Sequence, residues 1–137
     1  MVEGRMTMSQ CFEKRIGSGR TCIECIVIST GKDLTVHIQG GDHPHIGAVA
    51  LAVPRPSLKE AAKMSATASV IAVTGHKDDE IARSVSLCLA AELSCVTVVS
   101  AGVHIDNAEE NEITEILLNT QHMTQMIIEA IQSKGCV

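Results

Sequence analysis

The chain is 137 residues long, enough for one domain and too short for a second core, so residues 1–137 are read as a single unit. Its 11 basic and 16 acidic residues leave a formal net charge of -5, with no basic run or aromatic platform, which argues against nucleic acid as a partner. No stretch reaches the roughly 20 apolar residues of a membrane span, and residues 1–19 mix charges and glycines where an export signal needs a continuous apolar run; a cytoplasmic protein without a membrane partner is expected.

In chain order, residues 1–20 read as a polar, flexible lead-in to a core over residues 22–131. Phe12 is the one Phe, Tyr or Trp of the chain, so Ile, Val, Leu, Ala, Met and Cys must fill the interior. Small side chains bury less area each, at roughly 25 cal/mol per Å² of apolar surface, and association is a common remedy. A homo-oligomer, with a dimer favoured, is therefore expected. Cys22 to Thr30 and Leu34 to Gln39 are β-rich runs around Gly31-Lys32-Asp33 and read as a hairpin. In the second run Leu34, Val36 and Ile38 alternate with Thr35, His37 and Gln39, giving one buried and one polar face, with His37 an ordinary half-exposed strand residue. Cys22 and Cys25 spell CxxC, but residues three apart on a strand point to opposite faces, which speaks against a shared metal. The chain's 6 cysteines read as buried thiols rather than as a disulfide framework.

Ile46 to Val53 is apolar at both parities and reads as a strand covered on both faces, its small-residue face available to another subunit. Pro54-Arg55-Pro56-Ser57 is expected to end it. Residues 57–68 read mostly as loop with one helical turn, in which Ser57 and Glu60 form a capping box. Ser69 to Thr74 is the next strand. Asp78, Asp79 and Glu80 then place negative charge at the start of a helix whose Ile81, Val85 and Leu89 share one face. Cys95 to Ala101 is the last strand. Asn107 and Glu110 suggest a cap for a C-terminal helical region with stripes at Ile113, Ile116 and Leu117 and at Met123, Ile127 and Ile131, broken in two near Asn119-Thr120. The methionines there read as core filler.

The expected architecture is an α+β two-layer form of the α/β class. It has about five strands in a mainly antiparallel sheet, a C-terminal βαβ unit, and two to three helices on one face. If the first four strands form an up-and-down meander and the crossover helix returns the chain, the second, fourth and fifth strands end at the same edge. That edge gathers Gly40-Gly41-Asp42-His43-Pro44-His45, Gly75-His76-Lys77-Asp78 and Gly102-Val103-His104-Ile105-Asp106, together with two helix N-termini, which favour anions such as phosphate. Pro44 biases His43 towards extended backbone, so His43 and His45 project from one side at a spacing that suits two ligands on one metal. His104 and Asp106 repeat the spacing, and a mixed His and carboxylate shell suits zinc, iron or manganese. The glycine spacing fits neither a Walker loop nor GxGxxG, no serine or cysteine sits in a nucleophile elbow, and Asp78 and Asp79 are explained by helix capping.

Gly-Gly-Asp-His-Pro-His-Ile-Gly (40–47), His-Lys-Asp (76–78) before a helix and Ala-Gly-Val-His-Ile-Asp (101–106) before a second helical region together resemble the LpdD-like family over about residues 22–131. Members accompany UbiD-type decarboxylases and are regarded as chaperones for prenylated FMN. The resemblance implies that this chain binds reduced prenylated FMN and delivers it to a UbiD-type decarboxylase apoenzyme without catalysing the decarboxylation. It also implies that His43, His45, His76, Lys77, Asp78, His104 and Asp106 belong to the flavin or metal site. In those terms Gly40, Gly41, Asp42, His43, Gly47, His76, Lys77, Asp78 and Gly102 would contact the flavin nucleotide, and His43, His45, His104 and Asp106 would hold a divalent metal. Gly40 and Gly41 would let backbone N–H groups approach a phosphate, with Lys77 balancing its charge. With Phe12 the one aromatic, Ile, Val and Met or a neighbouring subunit must supply the apolar wall. The competing expectation is a small metal-dependent lyase or hydrolase in which His43, His45 and His104 hold a metal that activates water.

Overall fold

In the computed structural model, which describes residues 10–73 and 78–133, β2 (Ile23–Thr30) and β3 (Asp33–Gly41) keep the alternation read from the sequence. Leu34, Val36 and Ile38 are buried while the residues between them are not. Their hairpin pairs Thr30 with Asp33 across Gly31-Lys32, and Gly31 adopts φ 60°, a conformation that favours glycine at this tight connection. An edge strand, β1 (Cys11–Ile16), pairs antiparallel with β2, and a short 3-10 turn (Gly19–Thr21) joins them. The stretch read as a flexible lead-in thus supplies ordered structure from Cys11 onwards. Its half-buried Phe12 and Ile16 pack against the core, an anchorage that alternation with Glu13, Lys14 and Arg15 had obscured.

β4 (Ala48–Pro56) and β5 (Met64–Ala72) form a second antiparallel hairpin. Pro54 and Pro56 do not end β4 as expected. They fall beyond Ala52, the last β4 residue paired with β6, so only the β5 ladder remains there and a missing N–H is tolerated. The loop between the hairpin strands is closed by the Ser57 N–H donating to the Lys63 carbonyl at 2.7 Å. Ser57 Oγ accepts the Lys59 and Glu60 amides at 3.2 and 3.4 Å. The face assignment of β4 is the reverse of the one expected. Ala48, Ala50 and Ala52 are buried beneath a helix, whereas Val49, Leu51 and Val53 lie on the side without helices. Small residues let the helix approach closely, which is where the packing needs them.

α1 (Asp79–Leu93) leads through Ser94, in left-handed conformation at φ 51°, to β6 (Thr97–His104). α2 runs unbroken from Glu110 to Ser133. Asn119 and Thr120 do not break it, because the Thr120 hydroxyl donates to the Ile116 carbonyl at 2.8 Å and the Asn119 amide donates to the Thr21 carbonyl at 3.0 Å. The expected Asn107–Glu110 cap is displaced by two residues: Glu112 reaches back to the Glu109 N–H at 3.1 Å, three residues before it.

The six strands form one sheet in the order β1-β2-β3-β6-β4-β5, with β3 and β6 parallel and every other neighbour antiparallel. The meander placed β3 beside β4; instead β6 is inserted between them. The β5-α1-β6 crossover therefore passes over β4, and its two strands run in the same direction without touching. The class is as expected, a mixed sheet with its two helices on one face: α1 packs over β4, β5 and β6, and α2 over β1 and β2. Ile81, Val85 and Leu89 of α1 meet Met123, Ile127 and Ile131 of α2 in the core above the sheet. No helix among the described residues is long and apolar enough to cross a membrane.

Candidate functional site

β3, β5 and β6 end at one edge of the sheet, and β3 and β6 carry their polar loops to it side by side. Gly41 closes β3 at φ 78°, opposite His104, where a Cβ would overlap the His104 carbonyl. That carbonyl accepts the Asp42 and His43 amides at 2.7 and 3.3 Å, folding the loop after β3 over the end of β6. Gly47 and Gly102 serve the same close approach: a Cβ on Gly102 would overlap the His45 carbonyl, and one on Gly47 would overlap the Asp78 carboxylate. Gly40 is filled in the same way by the backbone of Cys22 and Ile23. Close contacts within the chain itself require these glycines.

This packing brings His43, His45, His104, Asp78 and Asp106 together. The outer half is a rim in which Asp106 accepts from His43 Nε2 at 2.8 Å through one oxygen and from His104 Nε2 at 3.0 Å through the other. The His43 hydrogen bond, followed by that of His104, holds the Asp106 carboxyl below the usual carboxylate range. The His43 and His104 rings lie 5.6 Å apart, and His45 is 6.5 Å from His104.

The inner half is the pair His45–Asp78. His45 Nε2 lies 3.0 Å from Asp78 Oδ2, and its Nδ1 lies 2.9 Å from the His43 carbonyl. Asp78 Oδ1 accepts the Val103 N–H at 2.9 Å. Asp78 is 5% exposed, against 57% for Asp106. Helix capping was the sequence explanation for Asp78, yet its side chain makes no cap hydrogen bond to α1. It ties the histidine loop to β6 instead. Asp79 and Glu80 do lie in the first turn of α1, and Glu110 and Glu112 in that of α2, so carboxylates of the chain itself already stand at both helix N-termini.

Among the described residues no three His, Cys, Asp or Glu side chains form a group that could hold a metal. The four residues read as ligands divide instead into His43–Asp106–His104 and His45–Asp78. His76 and Lys77 lie outside the described residues. Cys22 and Cys25 face different neighbours, Arg15 Nε at 3.1 Å and Met123 Sδ at 3.2 Å. Cys22, Cys25 and Cys95 are buried as expected of core thiols, but Cys11 and Cys88 are exposed.

Two features were not read from the sequence. Arg20, in the turn before β2, bonds Asp42 and Glu112, each at 3.2 Å, and the Asp106 carbonyl, so it clamps the rim to α2. No local pattern marks it, because its partners lie 22 to 92 residues away. Beside the rim a cleft of about 370 Å³ opens between β6, α1 and the start of α2. His104 and Asp78 border it, and Ile105, Ile113, Ile116 and Leu117 form its apolar wall. The stripe on α2 was legible, but its exposure was not: Ile113 and Leu117 are 50% and 45% exposed where they meet the cleft.

Among curated proteins none matches this sequence. A solved chain in a chaperone complex for yeast 20S proteasome assembly has a similar fold, with a TM-score of 0.57, 10% identity, and coverage of 91% of this chain and 96% of that one. The family model described as the prenylated flavin chaperone LpdD-like domain matches residues 17–132, and the chain belongs to that family.

Proposed function

We propose that the cleft and the histidine rim together bind reduced prenylated FMN and release it to a UbiD-type decarboxylase apoenzyme, the chain acting as a carrier and not as a catalyst. The observation that carries this reading is the apolar cleft of about 370 Å³ bordered by His104 and Asp78, in a member of a prenylated flavin chaperone family. Ligand pockets run from about 300 to 1,000 Å³, so this one suits a ring system rather than a whole nucleotide. In this proposal the apolar part of the tricycle and its prenyl-derived ring lie against Ile105, Ile113, Ile116 and Leu117. The pyrimidine edge, which carries both donors and acceptors, meets His43, His104 and Asp106. Asp78, Gly47 and Gly102 shape the inner wall, and Gly40, Gly41 and Asp42 set the turn that presents His43. A cleft with a half-exposed wall favours release, which a carrier requires.

A divalent cation on His43, His104 and Asp106 is the second reading; it requires the two imidazole–carboxylate hydrogen bonds to part, because as they stand no three of the described side chains form a group that could hold a metal. The lyase or hydrolase alternative further requires His45 to join them, whereas His45 is engaged by Asp78.

The test is an anaerobic titration with reduced prenyl-FMN, using reduced FMN as control, followed by transfer to an apo-decarboxylase. The chain has no Trp or Tyr, so flavin absorbance is read against a quiet protein background. Preferential binding of the prenylated form, weakened at least tenfold by Ile113→Glu, is expected. Equal binding of both flavins, or affinity unchanged in Ile113→Glu, would overturn the assignment of the cleft. Metal content measured on the same samples, with and without His43→Ala, decides the second reading.

A further inference from the structure

With both helices on one side, no element among the described residues covers the opposite face of the sheet, and its composition is unlike that of a solvated surface. The strand registers align Ile28, Thr35, Val98, Leu51 and Ser69 in one row and Ile26, His37, Ser100, Val49 and Ile71 in the next. Ile26, Ile28, Leu51, Val53 and Ile71 are each between 37% and 75% exposed. On an antiparallel sheet that faces water the outward residues are ordinarily polar. Here the charged residues of this face stand at its margins: Glu13, Arg15 and Glu24 on β1 and β2, Asp33 at the start of β3, and Arg55 near the end of β4, where its Nε donates to Thr67 at 2.7 Å.

Three polar side chains at the centre, Ser100, His37 and Gln39, are already paired within the plane of the face. Ser100 Oγ lies 2.7 Å from His37 Nδ1, His37 Nε2 lies 3.2 Å from Gln39 Oε1, and Gln39 Nε2 donates to Glu24 at 3.1 Å. A chain of side chains that satisfy one another can lose its water without leaving a buried donor or acceptor unpaired, which is the main cost of covering polar groups.

We infer that this face is a two-fold interface in which a second copy of the chain packs sheet against sheet. Six strands spaced by about 4.8 Å, each roughly 24 Å long, offer about 700 Å² per copy, close to the roughly 800 Å² per partner of a standard stable interface. Face-to-face sheets stack at about 10 Å with strands aligned to within about 30°, which sets the isoleucine, valine and leucine rows of the two copies against each other and leaves the border charges at the rim. A second copy also answers the shortage of large side chains noted in the composition, by giving the bare side of each sheet a core of its own.

Sedimentation velocity of the full chain from 1 to 100 μM tests the assignment, with circular dichroism confirming the fold of each variant. Wild type is expected at twice the 14.5 kDa of one chain. Leu51→Glu is expected to fall to the mass of one chain. So is Ser69→Arg, which alters an exposed polar position on this face and leaves the monomer core untouched, so the test stands even if the Leu51 variant misfolds. Leu118→Glu, on exposed α2 surface, is expected to leave the mass doubled. Wild type at the mass of one chain throughout the range would overturn the inference, as would retention of the doubled mass by folded Ser69→Arg, since another surface would then hold the copies together.

Discussion

Asp78→Ala tests whether the inner pair holds the site together. The carboxylate receives the Val103 amide at 2.9 Å and His45 Nε2 at 3.0 Å, at a position 5% exposed. Losing an acceptor from a buried amide costs about 1–3 kcal/mol, and losing a hydrogen bond to a charged group about 1.5–3 kcal/mol. The sum is roughly 2.5–6 kcal/mol. At about 2.1 cal/mol/K per residue, the unfolding entropy of a 137-residue chain is near 0.3 kcal/mol/K, so the melting temperature is expected to fall by roughly 9–20 °C. Asp78→Asn keeps an acceptor for Val103 and is expected to lose about half as much. Gly47→Ala extends the test, since its Cβ would overlap the Asp78 carboxylate. Alone it destabilises; in the Asp78→Ala background the carboxylate is gone and only the Cβ of residue 78, 3.0 Å away, still crowds it, so the double variant is expected to be more stable than additivity predicts by about 1–2 kcal/mol. Thermal and guanidinium unfolding followed by far-ultraviolet circular dichroism measures wild type and all four variants. An Asp78→Ala variant melting within about 3 °C of wild type, or a strictly additive cycle, would refute this account of the inner pair.

Gly102→Ala places a Cβ against the His45 carbonyl, and a melting temperature at least about 8 °C lower is expected together with weakened flavin binding; an unchanged protein would mean that the loop yields. Burial pushes the Cys25 thiol up to about 11, against 9.0 for a free thiol. The stability this represents is complete below pH 9, where both states hold the proton, and is lost as pH rises through about 11, so unfolding at pH 8 and pH 11 should differ less in Cys25→Ala than in wild type. Timed alkylation at pH 8 should modify exposed Cys11 and Cys88 first and spare Cys25 until the chain unfolds. Because Asp106 is lowered by its histidine partners, the contribution of the rim is present above the ordinary aspartate range and lost as pH falls through the lowered value. Carboxyl NMR of His43→Ala should show the Asp106 titration moving back up, and no movement would mean that the hydrogen bond is not made in solution.

Much of the site was legible because its signals are local. Glycine–histidine clusters at strand ends, together with strand direction, were enough to bring His43, His45 and His104 to one edge. The error in strand order did not spoil this, since inserting β6 between β3 and β4 leaves the directions of β3, β5 and β6 unchanged. Asp78 shows the limit. Its place before a helix is what a capping residue looks like, and only the approach of β6 and of the histidine loop gives its carboxylate other partners, 25 and 33 residues away.

By itself the sequence determined the α+β class, the two amphipathic helices, the alternation of β2 and β3 and the histidine-bearing turns, because periodicity and backbone restriction act between near neighbours. Tertiary structure alone decided that β6 divides the two hairpins, that the alanine face of β4 lies inward, that Arg20 clamps the rim, and that Ile113 and Leu117 remain open beside a cleft. Those outcomes depend on which surfaces meet. Apolar burial has no direction of its own, so a stripe of isoleucines records that something must cover it, and the arrangement of the whole chain determines what does.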